Sequence, residues 1–233
     1  MHNQFPIIAV DNFYDDPYKV RDFALSLEYE KPTGNYPGVR TRTLDYLQPK
    51  FFDSFCQRLF SLYYYYEPNP DVVWNVGTFF QKTHQYDEDP TSILNTGWIH
   101  ADDSPAVLAG IIYLNPNPRP DAGTSFYKLK HDVYETSNLN YNLRNDFYND
   151  RDVDLEEYKK ELTKVNESYT KTLEVKNVFN RLALYGADIH HKENGFVATE
   201  TEPRLTQLLF VNNIKSSIQQ PPIPRMREHG IEF

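Results

Sequence analysis

The residues of this chain that could do chemistry gather in two short blocks. The first is Gly97-Trp98-Ile99-His100-Ala101-Asp102. The second, far downstream, runs from Leu182 through Tyr185 and Gly186 to His190-His191, and Arg204-Leu205-Thr206 follows it. On an extended segment, side chains two residues apart point to the same side, so His100 and Asp102 can face one ligand together. One distant histidine turns this pair into two imidazoles and one carboxylate. On one face of an octahedral metal such a set leaves three positions open, the arrangement that suits Fe(II) and oxygen chemistry. Arg204 then offers a planar cationic fork for an acidic second ligand, with Thr206 on the same strand face.

Each of these residues has a plainer reading. His100 and Asp102 as a hydrogen-bonded pair, and Arg204 as a surface cation, would need no metal. Asp103 is an alternative carboxylate, although as the immediate neighbour of Asp102 it should face the other way. His190 and His191 compete for the third ligand position, and adjacent strand residues cannot both fill it without a kink. His2, His84, His131 and His229 fall in no spaced pattern and read as surface residues.

The surrounding elements follow from local pattern. Ile7 to Val10 reads as a short buried strand. Asp15 or Asp16 can cap a helix over about 17–28 that has Pro17 in its first turn and Val20, Phe23, Ala24 and Leu27 on one face. Residues 31–43, with two prolines and two glycines, read as a loop. Pro49 opens a second helix with Phe51, Phe52, Phe55, Leu59 and Leu62 at helical spacing. Strands are expected at Val72 to Phe80, Trp98 to Asp102, Val107 to Leu114, Gly123 to Tyr127, Val178 to Tyr185 and Leu205 to Val211. A weakly amphipathic helix is expected over about 154–169. Two helices followed by short strands predict a mainly β domain with flanking helices, a sandwich or jelly roll buttressed by the N-terminal helices.

The 233 residues suit one domain of this kind, and 39% hydrophobic content with 15% aromatics permits a sizeable core rich in Tyr and Phe. A net charge of -9 argues against nucleic acid as a partner, since a phosphate-backbone binder needs a basic face. The single cysteine, Cys56, excludes an intramolecular disulfide and reads as a small buried hydrophobe. The first residues lack the basic start of a signal peptide, and no stretch approaches the length of a membrane span. The expectation is a soluble cytoplasmic protein with no membrane partner. Glycine-rich phosphate loops, nucleophile elbows and C-x-x-C pairs are all missing.

Five segments in order carry a family resemblance: His100-Ala101-Asp102, Tyr113-Leu114-Asn115, Gly123-Thr124-Ser125-Phe126, Leu182 to His191, and Arg204-Leu205-Thr206. Over residues 72–212 the chain resembles the 2-oxoglutarate and Fe(II)-dependent oxygenases, on their prolyl-4-hydroxylase-like side. The resemblance implies a double-stranded β-helix (jelly roll) for 72–212, a helical buttress for 1–70, and an extended tail over 213–233, all in one domain. It implies Fe(II) on His100, Asp102 and His191, since the family's histidine stands six residues after an aromatic and Tyr185 plus six is 191. It implies 2-oxoglutarate as cosubstrate, chelating the metal and paired through its far carboxylate with Arg204 and Thr206. O2 would take the remaining site, and a substrate would be hydroxylated with release of succinate and CO2. Two departures stand out. Gly186 replaces a frequent proline, and about fifty residues separate Phe126 from Val178 where compact members have a short connection. This insertion, about 130–176, has few aliphatic residues for a core of its own and is expected beside the metal mouth, contributing to substrate choice. The rival readings are a non-catalytic jelly-roll binding module and a cupin-like metal enzyme that uses no 2-oxoglutarate. Substrate identity, whether small molecule or protein, is not legible, nor is the oligomeric state.

Overall fold

Two strands of this chain are buried at every position, Leu108–Tyr113 and Leu182–Gly186. A strand with no polar face must be covered on both sides, and the architecture is built around that requirement. The computed structural model describes residues 6–31, 34–63, 72–102, 105–130, 140–197 and 202–215. In chain order the elements are β1 (Ile8–Val10), α1 (Pro17–Ser26), β2 (Val39–Arg40), α2 (Leu44–Leu47), α3 (Pro49–Phe60), β3 (Val73–Thr83), β4 (Leu108–Tyr113), β5 (Thr124–Leu129), α4 (Tyr141–Tyr148), α5 (Leu155–Glu167), β6 (Tyr169–Val175), β7 (Leu182–Gly186), β8 (His191–Glu193) and β9 (Arg204–Lys215).

The strands form a six-stranded major sheet, ordered β1-β7-β4-β9-β3-β2, and a three-stranded minor sheet, ordered β6-β5-β8. Every pairing is antiparallel. Helices α1 and α3 cover the outer face of the major sheet. There Val20, Ala24, Phe55 and Leu59 join Phe80, Ile112, Leu184, Leu205 and Leu209 in one buried cluster. Burying each of these large side chains contributes about 1.5–3 kcal/mol. The inner face of the major sheet meets the minor sheet through Ala109, Ile111, Tyr113, Ala183 and Tyr185 against Phe126 and Val175. The result is the mainly β jelly roll with an N-terminal helical buttress that the sequence predicts.

The first helix starts where expected. Asp16 is its N-cap, accepting from the Lys19 backbone N–H at 3.0 Å, with Pro17 in the first turn. Cys56 is fully buried, and burial pushes its thiol up to about 12.

Five expectations need correction. The loop at 31–43 contains β2, which pairs Arg40 with Gln81. The strand expected from Val178 starts only at Leu182, because Asn180 adopts a left-handed φ of 63° that asparagine tolerates. Asn180 holds this turn against the buttress, accepting from Tyr14 N and donating to Tyr14 O, both at 2.8 Å. The polar region 130–176 ends in β6, a full partner of β5, so residues 169–175 belong to the jelly roll. The same region does form a core, built from rings rather than aliphatic chains: Phe147, Tyr148, Tyr158 and Leu162 pack with Trp98, Leu94 and Phe196. Finally, β9 runs to Lys215, so 213–215 are strand. Residues 131–139 of the insertion and the tail beyond 215 lie outside the described residues, as do His2, Asp103, His131 and His229. Among the described residues, no helix is long and apolar enough to cross a membrane.

Candidate metal centre

The H-x-D segment runs beside β8 as an extra antiparallel row of the minor sheet. Gly97 N donates to Glu193 O at 2.9 Å, His100 N to His191 O at 3.0 Å, His191 N to His100 O at 2.8 Å, and Asp102 N to Ala187 O at 2.9 Å. The expected strand over Trp98 to Asp102 reduces to this single bridge between His100 and His191. Gly97 permits the close approach, since a Cβ there would sit 2.5 Å from the Glu193 carboxylate.

This register stacks the two histidines across the ladder with ring centres 4.5 Å apart, and period-two alternation turns Asp102 to the same side. His100 Nε2 lies 3.9 Å from Asp102 Oδ1, and His191 Nε2 lies 3.7 Å from Asp102 Oδ2. All three ligand atoms fall within 4.8 Å of one another. The second nitrogens are both occupied by main chain: His100 Nδ1 meets Trp98 O at 2.8 Å, and His191 Nδ1 meets Ile189 O at 2.9 Å. A ring whose Nδ1 carries the proton for a carbonyl presents the lone pair of Nε2, so both imidazoles are set to ligate through Nε2. Burial, then the neighbouring His191 and Arg144, push His100 down to about 3 and keep it neutral. The donor set fits a divalent metal. His190 points elsewhere, its ring 4.9 Å from that of Tyr169, and His84 is exposed.

The second expected pair lies at the start of β9 on the inner face. Arg204 and Thr206 are fully buried. The Arg204 Nε donates to Ala122 O at 3.3 Å, while Nη1, Nη2 and the Thr206 hydroxyl have no hydrogen-bond partner among the described residues. The Tyr113 ring centre lies 5.5 Å from the guanidinium carbon, and the Tyr113 hydroxyl bonds Thr124 Oγ1 at 2.8 Å. A buried guanidinium with its two terminal nitrogens unmet costs about 1–3 kcal/mol for each group left so. Its fork suits a carboxylate.

Sequence reasoning missed three neighbours. Glu193, two residues after His191 and so on the same face, is raised by burial, yet the Arg204 guanidinium, the largest opposing influence, leads its carboxyl below the usual range. Its H-x-E spacing from His191 was the available signal. Arg40 sits in register with Gln81, which is itself opposite Thr206, a relation no local pattern carries. Arg144 of α4 lies over the Trp98 ring at 5.7 Å, which brings the insertion beside the H-x-D segment.

A family model, described as a family of unknown function (DUF6445), matches residues 1–210. The chain belongs to that family. No curated protein matches this DUF6445 chain. Among solved structures it is similar to HygX from Streptomyces hygroscopicus with nickel, 2-oxoglutarate and hygromycin B bound, with 11% identity, a TM-score of 0.52, and coverage of 89% of this chain and 83% of HygX. EvdO2 from Micromonospora carbonacea var. aurantiaca is 13% identical, with a TM-score of 0.51 over 95% of this chain and 91% of EvdO2. SnoN, a non-heme alpha ketoglutarate dependent epimerase from nogalamycin biosynthesis, is 11% identical with a TM-score of 0.50, over 89% and 78%. At such identities the likeness is one of fold: this DUF6445 member has the jelly roll of the 2-oxoglutarate and Fe(II) oxygenases.

Proposed function

We propose that this protein is an Fe(II)- and 2-oxoglutarate-dependent dioxygenase that hydroxylates a substrate with release of succinate and CO2. The observation that carries the reading is Arg204: a fully buried guanidinium on the inner face, both Nη groups unmet, near two imidazoles and a carboxylate gathered for a metal. A buried polar group without a partner in a folded protein needs an explanation, and a dicarboxylate cosubstrate supplies one. A cupin-like metal enzyme without such a cosubstrate would leave that cation without a purpose. HygX, with nickel and 2-oxoglutarate bound on a similar fold, supports the same assignment.

His100, Asp102 and His191 would hold Fe(II), with the backbone carbonyls of Trp98 and Ile189 fixing the two rings. Fe(II) with 2-oxoglutarate and O2 would supply oxidative decarboxylation coupled to insertion of one oxygen atom into a substrate C–H bond, the other ending in succinate. Arg204 would hold the far carboxylate through two charge-assisted hydrogen bonds, and Thr206 would add a third. Tyr113, already tied to Thr124, walls that end of the site and keeps it dry, so the ion pair forms in a poorly screened place. Localisation in the cytoplasm and a single-domain organisation remain part of this reading.

The test is anaerobic reconstitution with Fe(II), then addition of 2-oxoglutarate and oxygen. Stoichiometric Fe(II) binding and succinate formation, slow without substrate and faster with the right one, are expected. A protein that binds neither Fe(II) nor 2-oxoglutarate is a jelly-roll binding module. One that binds Fe(II) alone is the cupin-like alternative.

A further inference from the structure

The arginines of the described residues divide by partner. Arg21, Arg42, Arg58, Arg119, Arg151 and Arg181 each hold a carboxylate oxygen at 2.5 to 3.3 Å. Arg40, Arg144 and Arg204 hold none among the described residues, and all three surround the candidate metal centre. In a chain with net charge -9, cations left without acids in one place are not a consequence of composition.

Arg40 is the best defined of them. Its Nε donates to Gln81 Oε1 at 2.6 Å, its guanidinium carbon stacks 3.4 Å from the Tyr36 ring centre, and the Phe79 ring centre is 4.7 Å away. Those contacts fix the plane of the fork, and among the described residues its hydrogen bond is the one from Nε to Gln81. Arg40, Gln81, Thr206 and Tyr113 form one cross-strand row of the major sheet. Cross-strand partners share a face, and two strand spacings put the Arg40 backbone about 10 Å from that of Thr206. Arg40 therefore stands on the inner face, beside the proposed cosubstrate position rather than in it. It feels Glu193 and Asp102 electrostatically but pairs with neither within 4 Å. Burial pulls it down to about 10, so it remains a cation at neutral pH. Arg144 comes from α4, with its Nε buried and without a hydrogen-bond partner among the described residues. Among the described residues, three guanidiniums against Asp102 and Glu193 leave one positive charge in excess. A divalent metal with a dicarboxylate cosubstrate leaves that excess unchanged.

We infer that Arg40 docks an anionic group, a carboxylate or a phosphate, on the substrate that is oxidised, with Arg144, over Trp98, adding positive charge beside the H-x-D segment. The inference rests on the dioxygenase reading for its location beside the metal. The chemistry of recognition is a bidentate, charge-assisted pair on a pre-aligned fork, with Tyr36 and Phe79 offering an aromatic wall to the part of the substrate next to the anion. Arg40 acts as a positioning residue that holds the substrate and not its reacting atoms.

The experiment is calorimetry on the full chain loaded with Ni(II) and 2-oxoglutarate, titrated separately with inorganic phosphate and with benzoate. The loading titrations report on the dioxygenase reading by themselves. If Ni(II) and 2-oxoglutarate fail to bind, that reading falls, and the anion titrations on the protein as purified still decide the Arg40 site. At least one anion should bind, and the tighter of the two identifies the source as phosphate or carboxylate. Arg40→Met should weaken that binding tenfold or more and Arg144→Met about threefold. Arg40→Lys keeps the charge without the fork and should fall between the parent and Arg40→Met; it serves as the folded control should the methionine variant melt early. A parent that binds neither anion, or Arg40 variants that bind as the parent does, overturns the proposal.

Discussion

Alternate residues of β9 face two environments that treat buried polarity in opposite ways. On the outer face, Gln207 is fully buried, and both ends of its amide are met: Tyr14 Oη donates to its Oε1 at 2.5 Å, and its Nε2 donates to Thr78 Oγ1 at 3.0 Å. On the inner face, Arg204 and Thr206 are equally buried, and the Nη groups and the hydroxyl are unmet. Backbone, strand and burial are shared, so the difference lies in purpose. A polar group kept for the fold arrives with its partners, while one kept for a ligand waits for a partner that the described residues do not supply.

The sharpest way to break this comparison is at the metal. Asp102→Ala or His191→Ala should abolish Fe(II) binding, measured by iron content after anaerobic loading. Both metal-free variants should still fold, with a modest loss of melting temperature for His191→Ala, which also removes the ring's bond to Ile189 O. A variant that keeps Fe(II) at parental affinity, or one that fails to fold, would return these residues to an ordinary structural role.

Next in size comes Arg204→Met, which removes the charge while filling much of the space. Losing a desolvated, bidentate partner should cost about 2–5 kcal/mol of 2-oxoglutarate binding, with Fe(II) affinity nearly unchanged. Thermal stability should hold or rise, since an unpaired buried cation is replaced by an apolar chain. A drop in melting temperature with 2-oxoglutarate affinity intact would place Arg204 with Gln207 as a structural residue.

Gln207→Leu is the mirror experiment. It leaves the Tyr14 hydroxyl and Thr78 without their buried partner, so unfolding free energy should fall by about 1–3 kcal/mol, read from denaturant melts. The affinity for 2-oxoglutarate should stay at the parental value. If Gln207→Leu weakens 2-oxoglutarate as much as Arg204→Met does, the two faces of β9 are not separate systems.

What could be read from the sequence follows the same division. The helices at Pro17 and Pro49 and strands such as β4 and β9 announce themselves because caps, prolines and apolar runs act locally. The H-x-D spacing and Arg204-x-Thr206 are legible because period two fixes which side chains share a face. β6 was hidden because it lies at the edge of the minor sheet, and its residues 170–173 are exposed, so Thr170-Lys171-Thr172-Leu173 has no buried face to alternate against. β8 has three residues, too few for any periodicity. The insertion's core escaped notice because it is aromatic: Phe147 stacks on Tyr158 at 4.0 Å, and Trp98 Nε1 donates to Tyr158 Oη at 2.7 Å. Arg40 reaches the site only through pairing β2 to β3, a contact between residues 41 apart that no window of local sequence contains.

The smallest expected effect tests the register on which all of this depends. His190 and His191 are neighbours on one extended segment, so alternation sends one inward and the other out. His191 faces Asp102, whereas His190 lies against Tyr169 of β6 on the far side of the minor sheet. His190→Ala should therefore leave Fe(II) and 2-oxoglutarate affinities at parental values and lower stability by about 1 kcal/mol or less, the scale of a lost ring contact at a partly exposed site. Loss of iron in His190→Ala together with retention in His191→Ala would mean that the strand is shifted by one residue. Every inward residue of β8 would then change places, and Glu193 would leave the site along with His191.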